Sequence, residues 1–350
     1  MGGMTSYFLR RILLMIPTFL GITLVFFFIL QIVPGGPLEQ ELLKLRMGAA
    51  EMGGEGAGGG SGSGFGDVAI PAEAMEEMKK FYGMDKPVHV RYGLWLWNVL
   101  HLDLGTSYVY SEPVWETIKQ RFPISIYFGL IGFILSYSIC VPLGVAKAVK
   151  HGSKFDAASS ILVLIGYSTP GWALGAVLLV LLGGGSFWDV FPLGEFRSET
   201  WEDMNAWGKV VDQVYHTVLP IIAYTIGSFA TLTVLMKNSL LENMGQDYVR
   251  TAFAKGLPER TVIFIHALRN SLIPIATGIG TLIGVFLAGS YLIELVFNID
   301  GLGMLGFTSI LTRDYPVTLG FLVMAGMIRL IGNIVSDMTY ALIDPRIRFK

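Results

Sequence analysis

Six runs of about 20 or more mostly apolar residues dominate this sequence: Leu9 to Ile32, Ile124 to Lys147, Ala157 to Leu182, Val214 to Met236, Leu272 to Phe297 and Val317 to Tyr340. A helix needs about 20 such residues to cross the hydrocarbon core of a bilayer. Inside that core every backbone N–H and C=O must find a partner within the protein, which a helix achieves with its own chain. The expected fold is therefore an all-α integral membrane protein with six transmembrane helices. Charge content agrees: 15% of residues are charged, against about 25% in soluble domains, and mean hydropathy is +0.58. Pro17, Pro142, Pro170, Pro220 and Pro274 lie in or at the ends of these runs, where neighbouring helices can re-satisfy the freed carbonyls. Glycines four apart, Gly171/Gly175 and Gly280/Gly284 with Ala288 beyond, read as small faces for close helix packing.

The first run follows Arg10-Arg11 and is longer than the apolar core of a signal peptide, with no small-residue cleavage site after it. It reads as an uncleaved first span. Lys and Arg in short loops set orientation. Placing the N-terminus in the cytoplasm puts Lys147, Lys150, Lys154, Lys237, Arg250, Lys255, Arg260, Arg269, Arg346, Arg348 and Lys350 there too. The short loops at 183–213 and 298–316 then hold only Arg197, Lys209 and Arg313 on the far side, with eight acidic residues. Both termini are expected inside. The chain divides into the first helix (1–33), a large external region (34–123) and a five-helix core (124–350) with a cytoplasmic loop at 237–271. Within the external region, 48–66 is a glycine-rich linker that cannot bury a core. Pro71 and Gly83 bracket a helical stretch, "AEAMEEMKKFY", and Trp95, Trp97 and Trp115 suit the headgroup layer.

Chemistry-bearing motifs are sparse. A net charge of −2 gives no general basic field for nucleic acid. One cysteine, Cys140, excludes an intramolecular disulfide framework and a Cys-based zinc cluster. His89, His101, His151, His216 and His266 are scattered, without metal-ligand spacing. Gly54, Gly56 and Gly59 fit a dinucleotide pattern but follow no strand and open no helix. No phosphate loop or nucleophile elbow occurs. No metal site and no catalytic residue is expected. Ionisable residues in the apolar runs are costly and point to function or to interhelical pairing. Arg329 and Asp337 in the sixth run, and Glu294 near the outer end of the fifth, are thus candidates for a translocation path or for packing.

One polar segment stands out between two spans: "DYVRTAFAKGLPERTVIFIHALRNSLIP" at 247–274. Its grammar is helix–turn–helix. Tyr248, Val249, Ala252 and Phe253 form an apolar stripe, while Arg250 and Lys255 point elsewhere. Gly256 is placed to end the first helix and Pro258, with Glu259, to start the second. A short amphipathic helix of this kind suits either docking in a partner's groove or lying on the headgroups.

That segment resembles the EAA-type coupling loop of ABC importer permeases. Arg250, Thr251 and Ala252 align with the E-A-A positions and Gly256 with the glycine of that pattern. Arg and Thr replace the family's Glu and Ala, and Arg269 stands where the general pattern has proline; these departures are those of the dipeptide/oligopeptide branch. The likeness continues through "YFLRRILLMIPTFLGITLVFFFILQIVPGGP" (7–37), "YGMDKPVHVRYGLWLWNVLHLDLGTS" (82–107), "PVWETIKQRFPIS" (113–125), "NIDGLGMLG" (298–306) and "YALIDPRIR" (340–348). Within the branch it runs furthest toward permeases of peptide and microcin C importers. The resemblance implies a type I importer in the bacterial inner membrane. Its partners would be a second homologous permease, a cytoplasmic ATPase that holds the ATP and Mg, and an external solute-binding protein, with no cofactor on this chain. It further implies that Tyr248, Arg250, Thr251, Ala252, Phe253, Lys255, Gly256, Leu257 and Arg260 meet the ATPase. The competing readings are a secondary transporter or channel that needs no ATPase, and an assembly subunit without a path; a charge-dense midplane and inverted repeats would mark the secondary transporter, and neither is visible.

Overall fold

The computed structural model describes residues 2–33, 36, 38–39, 42, 72–81, 83–185, 187–277, 279 and 289–343. The glycine-rich linker 48–66, the small-residue face at Gly280, Gly284 and Ala288, and the basic residues Arg346, Arg348 and Lys350 lie outside them. The described elements are helical: α1 (Gly2–Ile32), α2 (Ala72–Phe81), α3 (Val88–Leu100), α4 (Val114–Val149), α5 (Lys154–Ser168), α6 (Gly171–Leu182), α7 (Ala206–Met244), α8 (Asp247–Ala254), α9 (Glu259–Thr261), a π-helical turn (Val262–Ala267), α10 (Leu268–Ser271), α11 (Ile273–Thr277), α12 (Tyr291–Val296), α13 (Leu302–Leu311) and α14 (Tyr315–Ile343). Among the described residues β structure is limited to two isolated bridges, Thr106 with Pro113 and Gly183 with Phe191.

Four of these helices carry stretches long and apolar enough to span a bilayer, at Leu9–Ile32, Val114–Val149, Ala206–Met244 and Tyr315–Met338. α5 and α6 make a fifth if taken together, but they are bent by 96°. The straight span expected from Ala157 to Leu182 is therefore broken. The cause is Pro170, which lacks an N–H and forces the residue before it out of the α region; Thr169 is extended (φ −99°, ψ 115°). The hydroxyls of Ser168 and Thr169 cover the carbonyls of Leu164 and Ile165, each at 2.9 Å.

Two more boundaries differ from the sequence reading. α4 begins at Val114, ten residues before the apolar run at Ile124, because Val114 and Ile118 are buried and Pro113 suits the start of a helix. Pro123 is carried inside it. The run from Leu272 to Phe297 does not end as one helix. Residues 278 and 280–288 lie outside the description, but Gly289 is left-handed (φ +75°), Ser290 is extended, and α12 starts afresh after them.

The chain divides into two compact units, one of Met1–Ile16, Ile118–Phe307 and Met324–Lys350, the other of Pro17–Thr117 and Thr308–Val323. In the first, α5 and α6 pack along α7, and α12 packs on α6 and α7. Glycine permits the closest approaches, as the sequence spacing implied for Gly171 and Gly175. A Cβ on Gly171 would lie 2.3 Å from the Ala223 carbonyl oxygen, and one on Gly175 2.8 Å from the Phe297 ring. Outward faces are apolar: Ile161, Leu162, Leu164 and Ile165 of α5 are exposed, as lipid-facing side chains are. At 39 residues, α7 is about 58 Å long, nearly twice the hydrocarbon thickness, so it projects well beyond a bilayer.

In the second unit, α2 runs from Ala72 to Phe81 and stops as its bracketing residues imply. Gly83 is left-handed (φ +65°), and Gly83 and Met84 return their N–H groups to the carbonyls of Lys80 and Lys79. The loop before α4 is knotted by Asp314, which is fully buried. Its carboxylate accepts the Ser107 hydroxyl and the N–H groups of Tyr108 and Val109, the latter two at 3.2 Å.

Candidate functional site

The segment 247–274 is built on the projecting end of α7. That helix stops at Met244, two residues intervene, and α8 occupies Asp247–Ala254. The apolar stripe seen in the sequence splits. Val249 and Ala252 turn inward, with 1% and 7% of their surface exposed, into a cluster with Val145 and Ala148 of α4, Met236 and Leu240 of α7, and Val262, Ala267 and Ile275. Tyr248 and Phe253 turn outward, 39% and 45% exposed. Arg250, Thr251, Ala254, Lys255 and Arg260 are exposed beside them. Ala252, expected at the ATPase, is thus an anchor to the chain's own core. The split follows from helix geometry: positions three apart share a face, and Tyr248, Thr251 and Phe253 fall away from the face carrying Val249 and Ala252.

α8 ends in a Schellman cap. Gly256 is left-handed (φ +78°), its N–H reaches the Phe253 carbonyl at 2.9 Å and that of Leu257 the Ala252 carbonyl at 3.4 Å. Leu257 is half-buried against the same core, so it fixes the turn and is not part of the outward face. No heavy atom lies within 4 Å of a Cβ placed on Gly256; the glycine serves the backbone angle and not a contact. Pro258 opens α9. After the π-helical turn, Ser239 and Ser271 exchange hydrogen bonds across α7 and α10: Ser239 Oγ donates to the Ser271 carbonyl at 2.9 Å and Ser271 Oγ to that of Ser239 at 3.3 Å. Tyr248 Oη donates to Asn243 Oδ1 at 2.8 Å, and Asn243 Nδ2 to the Ser239 carbonyl at 2.9 Å. Packing and hydrogen bonds therefore tie α8 rigidly to α7.

A buried ionic cluster, which the sequence reading took only as loop charge, joins α4, α5 and α7 in the same unit. Lys147, 1% exposed, donates to the Asp156 carbonyl at 3.0 Å and to the hydroxyls of Ser159 and Ser160, each at 2.8 Å. Lys237 reaches both Asp156 carboxylate oxygens at 2.8 Å, and His151 Nδ1 lies 3.2 Å from Oδ2. A lysine can be buried when its charge is paired and its donors are filled. The lysine-to-serine spacing of 12 and 13 residues gave no periodic signal along one helix, which is why the sequence did not reveal it.

The three charges in the apolar runs fare differently. Arg329 is exposed on α14. Asp337 lies 2.9 Å from the Arg11 guanidinium. Glu294 is 1% exposed and is enclosed by its own chain. Its Oε1 accepts from Tyr224 Oη and the Ser290 N–H, both at 3.2 Å, and Oε2 from the Met304 N–H at 2.6 Å. Cβ atoms on Gly289 and Gly301 would fall 2.3 and 2.6 Å from that carboxyl group. Glu294 thus latches the "NIDGLG" loop.

Sequence comparison agrees with this architecture. The family model for the binding-protein-dependent transport system inner membrane component matches residues 140–349, more than half of the chain and all of the segment just described. The inner membrane ABC transporter permease protein YejB of Escherichia coli O157:H7 is 40% identical over 99% of this chain and 100% of its own length. The peptidoglycan transport system permease protein YejB of Agrobacterium fabrum is 39% identical over 99% of both. The dipeptide transport system permease protein DppB of Escherichia coli K12 is 34% identical over 99% of this chain and 100% of its own. With several apolar helices of spanning length, a family match over most of its core and relatives aligned end to end, the chain belongs to the family of inner-membrane components of binding-protein-dependent transport systems, as a multi-pass membrane protein.

Proposed function

We propose that this chain is a permease subunit of an ATP-driven, binding-protein-dependent peptide importer, with six spans and both termini in the cytoplasm. The carrying observation is α8. It is seated on the end of a helix longer than the bilayer is thick, locked by Val249 and Ala252, and presents Tyr248, Thr251, Phe253 and Lys255 outward. A rigid lever with an exposed amphipathic tip suits docking in a groove of a soluble motor. In this reading the ATPase holds the nucleotide and metal, and its closure pushes α8, so that α7 and the helices packed on it move together. A second homologous permease completes the path, and an external binding protein delivers the substrate. Arg329, exposed while Glu294 and Asp337 face groups within the chain, is our candidate for lining that path. The names of the relatives, which cover dipeptide and peptidoglycan transport, support peptides or peptide-bearing wall fragments as cargo; oligopeptide-like toxins such as microcin C fall in the same class.

A photo-crosslinking residue in place of Phe253 tests this. In membranes of the native host it should capture a protein carrying phosphate-loop motifs, in a nucleotide-sensitive manner. Capture of lipid alone would refute the coupling role and leave the interfacial-helix reading.

A further inference from the structure

The second unit holds a cavity of about 400 Å³. Its lining includes Phe27 of α1, Arg91, Leu94 and Trp95 of α3, and Tyr315 and Leu319 of α14. Two buried polar atoms in that lining, Trp95 Nε1 and Tyr315 Oη, have no hydrogen-bond partner. Tyr315 as a whole is 9% exposed. Among the described residues, the Arg91 side chain makes no ion pair or hydrogen bond either. Burial pulls its guanidinium below the ordinary arginine value, partly offset by Tyr108, Asp85 and Tyr315. Unpaired buried donors are costly, on the order of 1–3 kcal/mol each, so these two buried atoms, beside a half-buried guanidinium without a partner, call for an occupant.

Donor chemistry defines it. Arginine and the indole N–H only donate, and the phenol can donate. The occupant must therefore offer several acceptor oxygens, and beside a guanidinium these are best carried on an anion. Lys80, Lys86 and Arg91 line the cavity against Asp85 and Asp103, leaving one net positive charge, and Asp103 already receives the Gly105 N–H at 2.9 Å. Depth narrows the choice further. Phe27 and Gln31 lie in the last turns of the Leu9–Ile32 span, and Tyr315 and Leu319 in the first turns of Tyr315–Met338. Such positions sit at the headgroup layer. Phe27, Leu94 and Leu319 add apolar side chains to the lining, and Leu94 is 46% exposed.

We propose that this cavity binds the headgroup of a membrane glycerophospholipid, its phosphodiester received by Arg91, Trp95 and Tyr315. Asp85 at the rim is then placed for an ammonium, as in phosphatidylethanolamine, and Phe27, Leu94 and Leu319 for the glycerol and upper acyl chain. The occupancy ties α1, α3 and the start of α14 together through a lipid.

Native mass spectrometry of the full-length protein, titrated with phosphatidylethanolamine of defined chain length, tests the proposal. Arg91→Gln and Tyr315→Phe should each weaken the tightest lipid-binding step by about tenfold. Tyr315→Phe removes only one oxygen and is not expected to unfold the protein, which a melting curve checks. Excess inorganic phosphate or a tripeptide should not displace the bound lipid. Equal lipid affinity in wild type and both variants would overturn the proposal, as would displacement by the tripeptide, which would make the cavity a carboxylate site for cargo.

Discussion

Replacing Glu294 separates a latch from a path. Its carboxylate accepts three hydrogen bonds, two from backbone N–H groups, in a pocket where 1% of the residue is exposed. In Glu294→Gln the amide oxygen can still accept from Tyr224 and Ser290, but the new NH₂ faces the Met304 N–H, formerly 2.6 Å from an acceptor. One charge-assisted bond becomes a donor–donor opposition, a loss of about 1.5–3 kcal/mol. Rotating the amide restores the acceptor for Met304 and turns the NH₂ toward Tyr224 Oη, which can accept, and the Ser290 N–H, which keeps Tyr224 Oη at 3.1 Å, so the loss lies at the lower end of that range. Glu294→Ala removes the acceptor of all three hydrogen bonds and leaves the Met304 N–H unpaired, while the Ser290 N–H keeps Tyr224 Oη at 3.1 Å; with the space the side chain vacates, it should cost more, on the order of 3 kcal/mol or above. The assay is thermal melting of detergent-purified protein by fluorescent size-exclusion chromatography, with peptide uptake normalised to folded protein in parallel. The glutamine variant should melt lower by about 2–4 °C while uptake per folded molecule is largely kept. Wild-type melting with lost uptake would refute the latch and return Glu294 to the translocation path.

Gly256→Asp places an L side chain at φ +78°, which costs about 1–2 kcal/mol, with no clash because the surroundings are open; membrane abundance should stay near wild type and uptake should fall sharply, and normal uptake would remove the cap from the mechanism. Asp314→Ala removes the carboxylate that receives the Tyr108 and Val109 N–H groups and the Ser107 hydroxyl, leaving Val109 only its bond to Ser107 Oγ, a loss of about 1–3 kcal/mol that limited proteolysis should report as new cleavage between Leu102 and Glu112.

The sequence and the tertiary structure contributed different things here. Elements governed by neighbours along the chain were legible. The α2 helix between Pro71 and Gly83, the stop of α8 at Gly256 and the start of α9 after Pro258 all follow from local backbone preference. Hydropathy likewise placed four long helices, because burial in lipid depends on composition over 20 residues or so and not on partners. The kink at Pro170 was half legible: the proline was noted, but its 96° consequence depends on what α5 and α6 each pack against.

Sequence alone thus determined that this is a membrane-embedded helical chain with a helix–turn–helix between two spans, because periodicity and propensity act within a few residues. Tertiary structure decided which side chains of that segment are anchors and which are free. It turned Val249 and Ala252 into the core and left Tyr248 and Phe253 outside, brought Lys147, Asp156 and Lys237 together, and closed Glu294 within its glycine cradle. A charge in an apolar run carries the same local signal whether it faces a path or a buried partner; only the residues brought to it from elsewhere in the chain distinguish the two.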